Sequence, residues 1–382
     1  MLKYIVVVCS SLCLCGLILF PLISHFREVA HVAALEAGLP STTPPELLTY
    51  ESASLPNALW RVHYLNGVDS PKPSITARTS RIASWSLGAI DGVPVPGDYN
   101  GDGLLDLASF RPGLSASGLS SPRNWAIYFA TSAVASSMRY QVAKRSPLLL
   151  IWGTDSAIAV PADYDGDGRL DVAIFEPTAA LWQLLFSSGG FNRAKAALGM
   201  SGFGETVNWG IAGDVPVPAD YNGDRCADLA LIRRSEKRYI WHISIRNCRG
   251  AKSAEQIEIE FGALGDHPLV GDYDGDSRFE LAFYRPQSGR LRIRSWSGEI
   301  SEIKLEKNAR VFTADFDGDG VSDSATFLAG KVRIRNSRVS DRLREIVREQ
   351  SPASTVVGNF LEKELPAAVL LREHQLGALW EN

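Results

Sequence analysis

Imidazoles and thiols are scarce in this chain of 382 residues, which has six histidines and five cysteines. His25, His31, His63, His242, His267 and His374 form no HExxH pair, and neither a GxSxG elbow nor a Gly-rich phosphate loop occurs. These absences remove the usual zinc-hydrolase, serine-hydrolase and nucleotide-binding signatures, and the expectation is a protein that binds rather than an enzyme. A strong charge of one sign is also lacking. The formal net charge of -4 gives no reason to expect a nucleic-acid partner. Its distribution is uneven, because 18 of the 43 acidic residues fall in five short loops and leave 25 acids against 39 bases elsewhere. With the loop carboxylates neutralised, the remaining surface is basic.

The one long hydrophobic run lies at the start. After Met1, Leu2 and Lys3 it extends from Tyr4 to about Phe26. About twenty apolar residues suffice to cross a bilayer as a helix, and a cleaved signal peptide usually has a shorter core of about 7 to 15. Residues 1–27 are therefore expected to be a signal anchor helix, or a signal peptide if small residues between 30 and 37 are cut. Residues 28–46 then form a linker, and 47–382 the folded unit. Lys3 stays on the cytoplasmic side under the positive-inside rule, so the rest lies outside the cytoplasm, in the periplasm or at the cell surface, or secreted after cleavage. Cys9, Cys13 and Cys15 belong to the apolar segment. Cys226 and Cys248 are centred on 237, in a polar stretch that reads as a hairpin turn. They would face each other there and bridge in an oxidising compartment, the alternative being two separate thiols.

Internal repetition organises the remainder. Five segments align: 98–108 (DYNGDGLLDLA), 163–173 (DYDGDGRLDVA), 220–230 (DYNGDRCADLA), 272–282 (DYDGDSRFELA) and 315–325 (DFDGDGVSDSA). A sixth, 359–369 (NFLEKELPAAV), keeps the register and loses nearly every acid. First positions are spaced by 65, 57, 52, 43 and 44 residues, which is the size of a propeller blade. Ten residues before the first four loops stand Gly88, Gly153, Gly210 and Gly262, each after Leu or an aromatic residue. After each loop come a short apolar strand, a turn, and a strand of period two carrying Trp125, Ile127 and Phe129, then Trp182, Leu184 and Phe186, then Trp241, Ile243 and Ile245. The pattern predicts an all-β propeller. Partial units at both ends (47–50, 58–64 and 82–87, then 367–371) bring the count to seven blades, or to six if the two ends merge.

Each loop sets oxygen donors at its positions 1, 3, 5 and 9, with the carbonyl of position 7 available. The candidate ligands are Asp98, Asn100, Asp102, Leu104 and Asp106; Asp163, Asp165, Asp167, Arg169 and Asp171; Asp220, Asn222, Asp224, Cys226 and Asp228; Asp272, Asp274, Asp276, Arg278 and Glu280; and Asp315, Asp317, Asp319, Val321 and Asp323. Alternate oxygens on a tight turn suit Ca²⁺, which takes six to eight oxygen ligands, better than the stricter octahedron of Mg²⁺. Helix-loop-helix calcium hands share the first part of this pattern but need an acid at position 12. Here that position holds Ser109, Ile174, Leu231, Phe283 or Thr326.

The Trp-Gly or Phe-Gly pair, the Val-Pro-Val-Pro approach, the DYDGDG loop, the Asp-Leu/Val-Ala strand and the Phe-Arg-Pro at 110–112 together resemble the FG-GAP, or integrin-α-like (VCBS-type), calcium-binding propeller repeat family in its bacterial form. The resemblance covers residues 47–382. It implies a calcium-stabilised propeller used for recognition or adhesion outside the cytoplasm, with a protein or glycan ligand. The alternative is a hydrolase or lyase on the same fold. Departures from the pattern are Arg225 and Ser277 in place of Gly at position 6, Glu280 at position 9, and Leu361 and Lys363 in the sixth loop. About five sites are therefore expected, the third and fourth weaker, and none at Asn359. Calcium can serve structure alone or bridge to a ligand. Arg290, Arg292 and Arg294 share one side of a strand, as do Lys331, Arg333 and Arg335 in the next unit. Such a stripe is either a solvated face or a site for an anionic ligand.

Overall fold

The computed structural model describes residues 3–11, 30–35, 46–52, 59–65, 79–86, 93–102, 106–111, 124–131, 141–142, 146–154, 156–248, 255–314, 320–328, 331–335, 337 and 343–347. The described chain is all-β apart from one short helix, Arg193–Ala197. Five four-stranded sheets follow one another in a propeller-like succession, and their strands pair antiparallel. The second is Ile158–Ala159, Val172–Glu176, Leu181–Leu185 and Gly204–Asn208; the third is Val215–Pro216, Leu229–Arg234, Arg238–Ser244 and Gln256–Ala263. The fourth is His267–Gly271, Glu280–Arg285, Arg290–Arg294 and Ile300–Lys304.

These strands form where the period-two pattern puts branched and aromatic side chains on both faces. Val172–Glu176 is buried throughout, as expected of a strand covered by neighbouring sheets. The next strand alternates, so that Trp182 and Leu184 point into a core that also contains Leu229 and Leu231 of the following sheet. Trp241 and Ile243 pack in the same way with Leu281 and Phe283 of the sheet after that. The second and third sheets are thus each cemented to the next by one tryptophan face. Trp125, Trp182 and Trp241 are completely buried, which makes them core and removes them as sugar platforms. Two of the glycines that stand ten residues before a loop are needed there. Gly210 and Gly262 have φ of 113° and 96°, and a Cβ on Gly262 would meet the Phe283 ring at 2.3 Å.

The number of blades differs from the seven expected. Before the five four-stranded sheets comes one of five strands, in the order Ala30–Leu35, Lys3–Ser11, Glu46–Ser52, Leu59–Leu65, Thr79–Ser86. Its last three strands match the partial unit read from the sequence. The helix expected over 1–27 is not shown: of that segment only Lys3–Ser11 is described, as a strand paired parallel with Glu46–Ser52. A continuous apolar run carries no period to separate helix from buried strand, and Ile5, Val6, Val7 and Val8 are β-branched. The rest of that segment and the sixth loop at 359–369 lie outside the described residues. No helix among the described residues is long and apolar enough to cross a membrane.

Candidate metal centres

The aligned turns fold alike, and their first and ninth residues do most of the work. The position-one carboxylate gathers main-chain N–H groups of its own turn. Asp163 accepts from Gly166 at 2.6 Å, Asp167 at 3.2 Å and Gly168 at 2.8 Å. Asp220 accepts from Gly223, Asp224 and Arg225, Asp272 from Gly275 and Ser277, and Asp98 from Asn100 and Gly101. The position-nine acid is deeper still. Asp106, Asp171 and Asp228 are fully buried, and each accepts from the N–H of the position-two tyrosine, at 3.0, 2.8 and 2.9 Å. That tyrosine is itself pinned in the core, Tyr99, Tyr164 and Tyr221 donating to the carbonyls of Val95, Val160 and Val217.

Consecutive turns are stitched together by a contact that no sequence pattern announces. The position-eight N–H of each turn donates to the position-one carbonyl of the turn before it. The pairs are Leu170 to Asp98 at 2.8 Å, Ala227 to Asp163 at 2.7 Å, Phe279 to Asp220 at 2.9 Å and Ser322 to Asp272 at 2.5 Å. The turns therefore form one row, each holding the next.

Among the described residues, side-chain oxygens converge in two turns. Oxygens of Asp163, Asp165 and Asp171 lie within 4.8 Å of one another, and so do those of Asp272, Asp274 and Asp276. In the third turn the cluster is Asp224 with Cys226 and Cys248, but those sulfurs are joined in a disulfide with Cα atoms 5.3 Å apart and are not thiolate ligands. Asp220, Asn222, Asp224, Asp228 and the Cys226 carbonyl are left as its oxygen set. Arg169 and Arg278, whose carbonyls were the position-seven candidates, turn their side chains elsewhere. Arg169 pairs with Asp167 at 2.7 Å, and Arg278 lies over the Trp296 ring at 4.9 Å. Leu104, Asp315, Asp317 and Asp319 lie outside the described residues, whereas Val321 and Asp323 are described and buried.

Two observations test whether these residues fit a hard cation. Asp165 Oδ1 and Glu280 Oε1 are buried with no hydrogen-bond partner. Glu280, only 1% exposed, gives Oε2 to the Tyr273 N–H at 2.7 Å, and its extra methylene leaves Oε1 with nothing. An orphaned carboxylate oxygen in the protein interior is costly unless a cation meets it. The donor set is all oxygen, which suits calcium and does not suit a thiolate- or imidazole-seeking metal. Ca²⁺ would be held by the side chains at positions 1, 3, 5 and 9 and the carbonyl at 7.

Without an ion the cluster is electrostatically uncomfortable. Burial pushes Asp163 and Asp220 up to about 6, Asp228 to about 7 and Glu280 to about 8, against the pull of the N–H groups on them. Burial raises Asp165, Asp171 and Asp272 as well. Carboxylic acids in unfolded chains titrate near 4, so the metal-free folded state takes up protons that the unfolded state does not. That contribution is complete below about pH 4 and is lost as pH rises through about 6 to 8. Bound calcium would take the place of those protons. The gain in melting temperature on adding calcium is expected to widen steadily from pH 5 to pH 8; a gain that is flat across this window would count against cation binding by these acids.

Two turns carry backbone strain. Position six has φ near +80° in Gly168 and Gly320, and the same conformation is forced on Arg225 at 73° and Ser277 at 68°. A side chain there costs about 1–2 kcal/mol, offset in part by the lower unfolded-state freedom of a non-glycine residue. Arg225→Gly and Ser277→Gly are each expected to stabilise the chain by about 0.5 to 1 kcal/mol, as read by chemical denaturation.

The arginine stripe shares one face, as expected, but it is not bare. Leu291 and Ile293 are buried on the opposite side of the strand. Arg290 pairs with Glu302, Arg292 with the same carboxylate at 3.2 Å, and Arg333 with Glu306 at 2.8 Å. Arg335 donates to the Lys304 carbonyl at 3.0 Å, and the side chain of Lys331 is outside the description. Sequence reasoning missed a second repeated feature. Arg233 clasps Asp214 with two hydrogen bonds of 2.9 and 2.7 Å, and Arg285 clasps Asp266 at 2.6 and 2.8 Å.

No protein-family model matches the chain, and no curated protein does. Among solved structures it is similar to an Agrocybe aegerita lectin that recognises non-reducing terminal N-acetylglucosamine (TM-score 0.44, 14% identity, 80% of each chain). It is also similar to a catalytically inactive virginiamycin B lyase from Staphylococcus aureus (0.43, 13%, 87% of this chain and 97% of that one). A streptogramin B lyase is similar too (0.42, 12%, 88% and 94%). The expectation of a protein that is not an enzyme is corrected to this extent: two of these three similar structures are lyases.

Proposed function

We propose that the chain is a calcium-binding propeller of the FG-GAP, integrin-α-like kind, working outside the cytoplasm as a recognition, adhesion or scaffold module, with residues 1–27 directing it to or holding it at the membrane. The observation that carries this is the row of equivalent turns in which carboxylates crowd together and repel, above all the fourth, where Glu280 is buried with an unpartnered oxygen. Calcium converts that repulsion into a cross-link inside each turn. The stitches from position eight to position one then pass the rigidity from one sheet to the next. What such a row offers a partner is a stiff rim, and the ligand is a protein or glycan met outside the cytoplasm.

The test has two parts. Elemental analysis and calorimetry should find several bound calcium ions per chain and no transition metal, and a glycan and protein array run with calcium should give binding that chelator abolishes. Absence of bound calcium in millimolar calcium would sink the metal reading, and array binding indifferent to chelator would sink its link to recognition.

A second reading, an extracytoplasmic hydrolase or lyase, draws on one polar cluster away from the turns. His242 lies 3.5 Å from Glu258, its Nε2 is buried without a partner, and burial, with Arg233 nearby, lowers its pKa. Turnover of a substrate by the wild type and not by His242→Ala, at equal calcium stabilisation, would favour it.

A further inference from the structure

In three sheets the turn is only half of its candidate centre. A second segment, leaving the third strand of the same sheet, closes over it from the side. Its main-chain N–H donates to an oxygen of the position-nine carboxylate in three sheets: Ser187 to Asp171 at 2.8 Å, Arg246 to Asp228 at 2.6 Å and Ser337 to Asp323 at 2.6 Å. In two of them the segment reaches further. The Ser187 hydroxyl bonds both oxygens of Asp167 at 3.1 Å, and the Ser188 hydroxyl bonds Asp165, so that positions three and five of the second turn are each held from outside. In the third turn the Arg246 carbonyl accepts from Asn222 at 3.2 Å, and Cys248 is bonded to Cys226, the position-seven residue. The same sulfurs press on the position-four glycine of the second turn, where a Cβ on Gly166 would lie 2.7 Å from Cys226 Sγ. The fourth turn has no such clamp among the described residues: Asp274 and Asp276 are exposed and Glu280 Oε1 has no partner.

We propose that this second segment is the positioning element of the calcium sites. Ser187 with Ser188 sets the affinity of the second site, and the Cys226–Cys248 disulfide sets that of the third, so these two bind more tightly than the fourth. The inference rests on the calcium reading above. Ionised carboxylates repel one another and, left alone, swing apart; hydrogen bonds or a covalent tie that hold them converged remove that reorganisation from the binding step. Outer-shell partners of metal ligands are commonly worth 10–100-fold in affinity. The disulfide also offsets the left-handed Arg225 that marked the third turn as weaker.

Calcium calorimetry on the intact chain is expected to resolve the second and third sites as two tighter than the fourth. Ser187→Ala with Ser188→Ala should remove one of them by weakening it at least tenfold, and Cys226→Ser with Cys248→Ser should remove the other. Ser188→Thr, at an exposed position, keeps the hydroxyl and should keep the site. The proposal is overturned if both double variants retain two tight sites, if they weaken every site alike, or if Ser188→Thr behaves as the alanine does. Should the cysteine variant fail to fold, the serine pair and its threonine counterpart decide the matter alone. Calcium binding by the wild type with no difference among variants would overturn this inference and leave the calcium reading standing; no binding by the wild type would remove both.

Discussion

In excess chelator the chain should melt on the order of 10 °C below its transition in millimolar calcium. The size follows from mass action. Extracellular calcium modules have dissociation constants around 10⁻⁴ to 10⁻³ M, and at about ten times that constant each site adds about 1.4 kcal/mol. Five independent sites would contribute about 7 kcal/mol, comparable with the whole stability of an ordinary domain. The structure gives a reason to expect the full sum. The turns are joined by the position-eight to position-one hydrogen bonds, so loosening one turn loosens the anchor of the next. Differential scanning calorimetry with matched calcium and chelator samples measures the shift. A transition that does not move would mean that the carboxylates hold no ion, and magnesium should recover only part of the loss because it dehydrates reluctantly.

The turns were legible in the sequence because alternate acids and glycines leave a fixed spacing, and the tryptophan strands because period two is visible wherever one face is buried. The cysteine pairing was legible for a similar reason: Cys226 and Cys248 straddle a hairpin whose register, Arg234 opposite Tyr239, puts its turn where the polar stretch lies. Other features left no signature. The closing segment begins 24 residues after the first turn residue in the second sheet, 26 in the third and 22 in the fifth, and its shared contact is a main-chain N–H, so neither spacing nor residue type repeats. The stitches are main-chain on both sides and invisible for the same reason. The arginine stripe was readable as one face of a strand, but Glu302 is brought opposite Arg292 only by the pairing register, and Glu306 follows that sheet to meet Arg333 of the next one.

The two arginine clasps make the last prediction, and its sign depends on which partner is removed. Asp214 and Asp266 are 1% and 2% exposed at their side chains, whereas Arg233 and Arg285 are 29% and 39% exposed. Each aspartate also accepts a main-chain N–H, from Ile211 at 2.8 Å and Ala263 at 2.9 Å, and so closes the turn after the Trp-Gly or Phe-Gly pair. Deleting the arginine strands a carboxylate in the interior, which for a buried pair costs about 3–5 kcal/mol. Deleting the aspartate frees a guanidinium that can swing into water, so Asp266→Ala loses chiefly the turn hydrogen bond and its share of packing, about 1–3 kcal/mol. Arg285→Ala is therefore expected to destabilise more than Asp266→Ala, and the double variant less than Arg285→Ala alone, with Arg233 and Asp214 following the same order. Urea denaturation at fixed calcium checks it. If the aspartate variants prove the worse of the two in both sheets, the clasp matters as a turn fastener and the buried charge is tolerated in another way.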